Sequence, residues 1–220
     1  IRMKITETPS FVQSLEAKKQ VQIPLLTILK SYKWELIFGT FTAVATFATF
    51  YLMTVFSLSW ATTHLGFSRR DFLIIELFAI LFFVIGIPLS AVFADRFGRR
   101  LVLLIVSLAI GLFGLSFSYF MDSGSTFLIT TFICLGMGLM GFTYGPLGTF
   151  LSELFPTEVR YSGASLTFNL AGILGASFAP LIAIWLATKY GIGYVGYYLS
   201  VAALISFLAL LAIRKREHRF

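Results

Sequence analysis

The sequence predicts an all-α membrane protein built from six transmembrane helices, and three observations carry that reading. Of 220 residues, 58% are hydrophobic and 12% charged, with a mean hydropathy of +0.89. A soluble domain carries about 25% charged residues. Charge is also confined to short runs, the sharpest being AVFADRFGRR from Ala91 to Arg100. It separates residues 72–93, with one charged side chain, from residues 101–121, with none. Each apolar run is about 20 residues or longer, the length a helix needs to cross hydrocarbon. Such a segment must satisfy its own backbone hydrogen bonds, so a loop of this charge between two such runs reads as a helical hairpin with its turn in water.

In chain order, residues 1–33 form the polar block and read as a cytoplasmic linker with amphipathic helices. Thr8 and Pro9 supply a cap and a first helical position, with Phe11, Val12 and Leu15 on one face and Lys18 and Lys19 after them. Pro24 opens a second amphipathic stretch, Leu25, Leu26, Ile28 and Leu29 with Lys30 and Lys33, expected in the headgroup region. A six-helix bundle over 34–213 follows, with spans near 34–61, 72–93, 101–121, 126–151, 162–187 and 192–213, then a basic cytoplasmic tail, 214–220. The first span is rich in hydroxyls (Thr40, Thr42, Thr46, Thr49, Tyr51, Thr54), whereas the third and sixth hold little but Ser, Tyr and apolar residues. Polar helices belong against protein or a cavity, so the first, fourth and fifth spans are expected inside and the third and sixth at the periphery. With both termini on one side, that side holds 14 Lys and Arg and the other holds Arg69, Arg70 and Lys189. The positive-inside rule therefore places both termini and the Ala91 to Arg100 loop in the cytoplasm.

Other functions fit poorly. The net charge of +7 sits at the ends of apolar runs rather than on a soluble face, which argues against nucleic acid as a partner. Gly136 to Gly141 and Gly191 to Gly196 match a dinucleotide fingerprint, but neither follows a strand. Helix packing explains them better, with Gly141 one turn from Gly145 and Gly172 one turn from Ala176. Pro146 should bend the fourth span. Cys134 is the single cysteine, so no intrachain disulfide forms. His64 and His218 lie far from any Cys or acidic cluster, and neither a metal nor another cofactor is expected. No Ser, His and Asp set argues for an enzyme. A channel is disfavoured too, for want of a ring of like charges.

ADRFGRR after the second span and SELFPTEVRYSG, Ser152 to Gly163, after the fourth resemble the C-terminal half of a major facilitator superfamily transporter. The string YGPLGTFLSELFPTEVRYSGASLTFNLAGILGASFAP, Tyr144 to Pro180, resembles the metabolite:H+ symporter branch, as does ETPSF at Glu7 to Phe11. One position departs: Ala91 stands where the family's loop pattern has Gly. The resemblance implies two inverted three-helix repeats, a substrate site at the midplane shared with an N-terminal six-helix half absent from this chain, and a bacterial inner-membrane location. It further implies proton-coupled symport of a small organic acid or zwitterionic metabolite, with lipid, protons and the other half as partners. A transport-dead interaction or sensor module is the alternative.

Candidate site residues follow. Thr42, Thr46 and Thr49, with Met53, recur at helical spacing and either line a cavity or bond back to their own helix. Asn169, an amide in hydrocarbon, needs partners and serves either a polar substrate or an interhelical hydrogen bond. Thr143 and Tyr144 adjoin Pro146. Glu76 is the carboxylate inside a span; a snorkelling side chain is the favoured reading and a proton site the alternative. At the inner surface, Asp95, Arg96, Gly98, Arg99, Arg100, Glu153, Glu158 and Arg160 form the expected charge cluster. Within it, where the resemblance sets the two loop ends side by side, Asp95, Arg99, Arg100 and Glu153 are expected either to make and break contacts between conformational states or to form a purely structural latch.

Overall fold

The computed structural model describes residues 24–213, and every regular element among them is helical. A short helix α1 (Pro24–Ser31) precedes α2 (Lys33–His64), α3 (Arg69–Phe97), α4 (Arg99–Leu115), α5 (Phe117–Met121), α6 (Thr126–Glu153), α7 (Arg160–Tyr190) and α8 (Gly193–Ala212). Five of these, α2, α3, α6, α7 and α8, are long and apolar enough to cross a membrane. The expected third span is instead divided at Ser116 into α4 and α5. There the Ser116 hydroxyl donates to the Phe113 carbonyl at 2.7 Å, the back-bonding by which serine competes with a helix. The first linker helix read from Thr8 to Lys19 and the 214–220 tail lie outside the described residues.

Local chemistry sets the ends. Ser68 caps α3 by accepting from the Asp71 amide at 3.1 Å, and its hydroxyl donates to the Asp71 carboxylate at 2.6 Å. Gly98 ends α3 and starts α4 with φ +92, a conformation that glycine adopts without a Cβ clash. Both α2 and α7 contain one π-helical turn, Leu52–Phe56 and Ile173–Ser177. In α2 the Ser57 hydroxyl donates to the Leu52 carbonyl at 2.8 Å, beside the Ser57 N–H bond to the same carbonyl that the wider turn makes.

Two seams of small residues hold the bundle. Along α3 and α6, Gly86 lies against Gly138 and Gly141, and Ser90 against Gly145; numbering rises together, so the two helices run parallel. A Cβ on Gly141 would strike the Phe83 carbonyl. Along α4 and α8, Gly114 meets Gly196, and the Ser200 hydroxyl donates to the Gly111 carbonyl at 2.7 Å. The sequence-level packing reading thus finds its contacts at Gly141 and Gly145. On α7 the close approach is made by Gly175 against the Val44 carbonyl rather than by Gly172. Pro146 is buried within a continuous α6.

The expected order of burial needs one correction. The first span is the most enclosed, as its polarity suggests, but α8, read as peripheral, is more buried than α7, read as interior (44% against 33% of the membrane window). The polar stripe of α7 opens onto a groove instead of the bundle's own core. A second correction concerns α1, expected in the headgroup region: Ile28 is fully buried with Leu36, Phe155 and Val159, so this helix docks on the bundle.

Candidate functional site

At the basic end of the bundle the α3–α4 turn meets the end of α6. Arg99 Nη1 donates to Glu153 Oε1 at 2.5 Å, and Arg99 Nη2 lies 3.9 Å from Asp95 Oδ1 one turn back. Gly98 makes this possible by turning the chain so that Arg99 leaves the start of α4 toward α6. Arg99 is 36% and Glu153 51% exposed, against 77% for Asp95, so the Glu153 pair is the less hydrated contact.

Arg100 does not join the carboxylates. Its Nε and Nη2 donate to the Leu210 and Leu211 carbonyls at 3.0 and 3.1 Å, at the last turn of α8. Those carbonyls lack partners within the helix and carry its negative pole, which suits a guanidinium. Sequence spacing could not foresee this, because a basic pair looks equivalent until its helix is oriented. Arg160 donates to the Phe155 carbonyl at 3.2 Å, and Arg96 lies over the Phe97 ring. Glu158 makes no ion pair among the described residues.

A groove of about 560 Å³ runs between the end of α6 and the start of α7, within the size range of small-molecule sites. Arg160, Tyr161, Ser165, Phe168 and Asn169 line it from α7, and Gly148 and Ser152 from α6. Tyr161, Ser165, Phe168 and Asn169 recur at helical spacing, so α7 presents one polar-aromatic stripe. Asn169 Nδ2 donates to the Ser165 carbonyl at 2.8 Å. It therefore takes its partner from its own helix, not from the neighbouring helix that the interhelical alternative required. Its position about 13 Å along α7 from Arg160 follows from the helical rise.

The other cavity candidates lie elsewhere. Thr42, Thr46 and Thr49 are buried inside the bundle, and Thr49 donates to the Ala45 carbonyl at 2.7 Å. Thr143 is buried and donates to the Met140 carbonyl at 2.8 Å. Tyr144 is exposed and packs its ring edge-on to Phe168, beside the groove. Of the six, Asn169 alone lines the groove. Helical spacing groups residues on a face, but the rotation of that face is fixed by neighbouring helices. Glu76 is partly buried, and its Oε1 is buried without a hydrogen-bond partner. Thr157, Tyr161, Ser165 and Phe168 were passed over; the Ser165 to Asn169 spacing was the signal that could have found them. Among the described residues no His, Cys, Asp and Glu grouping suits a metal.

The helices and the groove define the class of multi-pass helical membrane proteins. Residues 36–220 match the Major Facilitator Superfamily, and the chain belongs to that family. It is 43% identical to an inner membrane metabolite transport protein of Escherichia coli (strain K12), YhjE, over all of this chain and 51% of that protein. It is 37% identical to a putative metabolite transport protein of Haemophilus influenzae, over 99% of this chain and 52% of that protein. A citrate-proton symporter of Klebsiella pneumoniae is 28% identical over 99% of this chain and 49% of its own length. The chain thus spans about half the length of the curated relatives it matches. No solved structure matches it.

Proposed function

We propose that the chain acts as the C-terminal half of a proton-coupled secondary transporter, which carries a small organic acid or zwitterionic metabolite by alternating access with a second six-helix half. The observation that carries this reading is the groove, where one cation (Arg160), four hydroxyl residues (Ser152, Thr157, Tyr161 and Ser165) and an amide (Asn169) gather on an otherwise apolar surface. Arg160 suits a carboxylate, and Ser165 and Asn169 suit hydroxyl or amino groups of a solute. α4 and α5 act together as the third of six spans. Packing supports two inverted repeats: if α2, α3 and α4–α5 correspond in order to α6, α7 and α8, the α3–α6 contact maps onto α7–α2, and α4–α6 onto α8–α2. All four contacts occur, and α4–α8 maps onto itself.

The charge count supports an inner-membrane topology with both termini cytoplasmic. Cysteines replacing Arg69 and Lys189 are expected to react with an impermeant thiol reagent outside intact cells, and one replacing Glu158 to remain unlabelled; the reverse pattern would invert the topology.

The deciding experiment is uptake by the full-length protein in proteoliposomes under an imposed proton gradient. Curated relatives include proline/betaine and shikimate transporters, so citrate, shikimate, proline and betaine form the first panel. Accumulation that a protonophore abolishes is expected for one solute class. No accumulation above protein-free liposomes across organic acids and zwitterions would favour the sensor reading. Asn169→Ala should raise the Michaelis constant several-fold at near-normal yield if the amide meets the solute.

A further inference from the structure

We propose that Glu76 is the group in this chain that takes up and releases the coupled proton, an assignment that rests on the proton-coupled reading above. Between Asp71 and Asp95 it is the single charged residue type in the sequence of α3. It lies at the edge of the buried face marked by Phe72 and Ala79, with the exposed Leu73 and Ile80 on its other flank, and its Oε1 is buried with no hydrogen-bond partner. Glu76 makes no ion pair among the described residues. A carboxylate held that way is more costly than a carboxylic acid, because no cation and no donor side chain among the described residues meets its buried oxygen. A bound proton removes that cost.

The second observation comes from the adjoining helix. Trp60 Nε1 on α2 is also buried without a partner, while its ring stacks on His64 at 3.8 Å. Ala61 of that segment and Phe72 and Ile75 of α3 belong to one apolar cluster. An unused donor and an unused acceptor thus lie within about two helical turns of the 65–68 hairpin, on the two helices it joins. Buried polar groups are nearly always paired, so an unpaired donor and acceptor near one hairpin are open to water or to a new partner in another conformation.

The charged and titratable groups on the elements packed against α3 leave Glu76 without a counter-ion. His64 closes the outer end of α2 beyond Trp60, and Tyr51 lies further along that helix. On α6, Gly141 sits opposite Gly86, which puts Cys134 about one turn inward of the Glu76 level and Tyr144 and Glu153 towards the basic end. Arg99 and Arg100 of α4 lie at that basic end, about 30 Å along α3. On α3 itself, Arg69, Arg70 and Asp71 occupy the exposed first turn, and Asp95 and Arg96 the last. In the step proposed, the Glu76 carboxylate forms an O–H bond with a proton from water when the hairpin end opens, and the same bond breaks to water after the transition. The carrier returns to its starting charge and no other reactant is consumed.

The test begins with the purified full-length protein in lipid and needs no solute. Infrared difference spectra between acidic and alkaline pH should contain a carboxylic acid C=O band that Glu76→Gln removes and Glu76→Asp shifts. In proteoliposomes, Glu76→Gln should lower the ratio of gradient-driven accumulation to solute exchange at least tenfold, with Glu76→Asp restoring part of it. Identical spectra for wild type, Glu76→Gln and Glu76→Asp, or wild-type accumulation by Glu76→Gln, would overturn the assignment. If the Gln variant does not fold, the band shift in Glu76→Asp decides alone. A wild-type protein that accumulates no solute overturns the transport reading, and the infrared band then still decides whether Glu76 exchanges its proton.

Discussion

Helices α2 and α3 are consecutive and similar in length, yet 67% of the membrane window of α2 is buried and only 17% of that of α3. The buried one is the more polar. α3 shows Leu77, Ile85 and Val92 to its surroundings, while α2 turns Thr40, Thr42, Thr46 and Thr49 inward. In water that arrangement would be upside down. In hydrocarbon an exposed leucine loses nothing, so helices associate through close backbone approach and hydrogen bonds, and the helix that supplies more of these ends up inside. The two helices also attach differently: α3 is held to α6 along the narrow Gly86, Gly141 and Gly145 seam. α2 is held on several sides, and the Ser206 hydroxyl of α8 enters its ladder, accepting from the Ala45 amide at 3.0 Å and donating to the Phe41 carbonyl at 2.7 Å.

The largest expected effect is on the narrow seam. Gly141→Leu pushes a side chain into the Phe83 backbone, which has no flexible end to yield. A destabilisation of about 3 kcal/mol is expected, read as a large loss of Tm and of monodisperse yield. A near-wild-type Tm would show that α3 is not held there. For α2 the corresponding change is Ser206→Ala, which removes the hydroxyl that bridges two buried backbone groups. It should cost about 1–2 kcal/mol by thermal unfolding, and no change would mean that the α2 ladder closes on itself.

Glu153→Gln acts at the far end of the α3 hairpin. The Arg99 pair is too exposed to contribute more than about 1 kcal/mol to stability, so Tm should barely move. If the pair is made and broken during the cycle, transport by the full-length protein slows severalfold, and the swap of Arg99→Glu with Glu153→Arg recovers part of the rate. A wild-type rate in Glu153→Gln would leave the pair a static latch. The smallest effect is expected for Thr42→Val, because the Thr42 hydroxyl is buried with no partner. Stability should change by less than about 0.5 kcal/mol or rise. A fall in transport with unchanged Tm would show instead that the hydroxyl meets the solute.

Much of the fold was legible because the bilayer constrains it. Five of the six apolar runs appear as helices long enough to span, and the turns fall at Ser68, Gly98 and Ser125, where capping or φ requires them. The remaining run is divided at Ser116, a local break that hydropathy does not register. Of the candidate site, the loop motifs marked Arg99 and Glu153 as neighbours, and Asn169 stood out by chemistry.

Span lengths, the grouping of charge at helix ends and the family motifs are properties of the chain in one dimension, and the sequence by itself determined them because water and hydrocarbon sort residues before any helix meets another. Rotation, register and partner choice were decided only in the tertiary structure. The same run of arginines sends Arg99 to a carboxylate and Arg100 to the carbonyls of α8. The threonines of α2 face protein rather than the groove, and one oxygen of Glu76 is buried without a partner. Each outcome depends on which neighbouring helix stands opposite, and that is set by the glycine seams, where backbone meets backbone and a fraction of an ångström decides the fit.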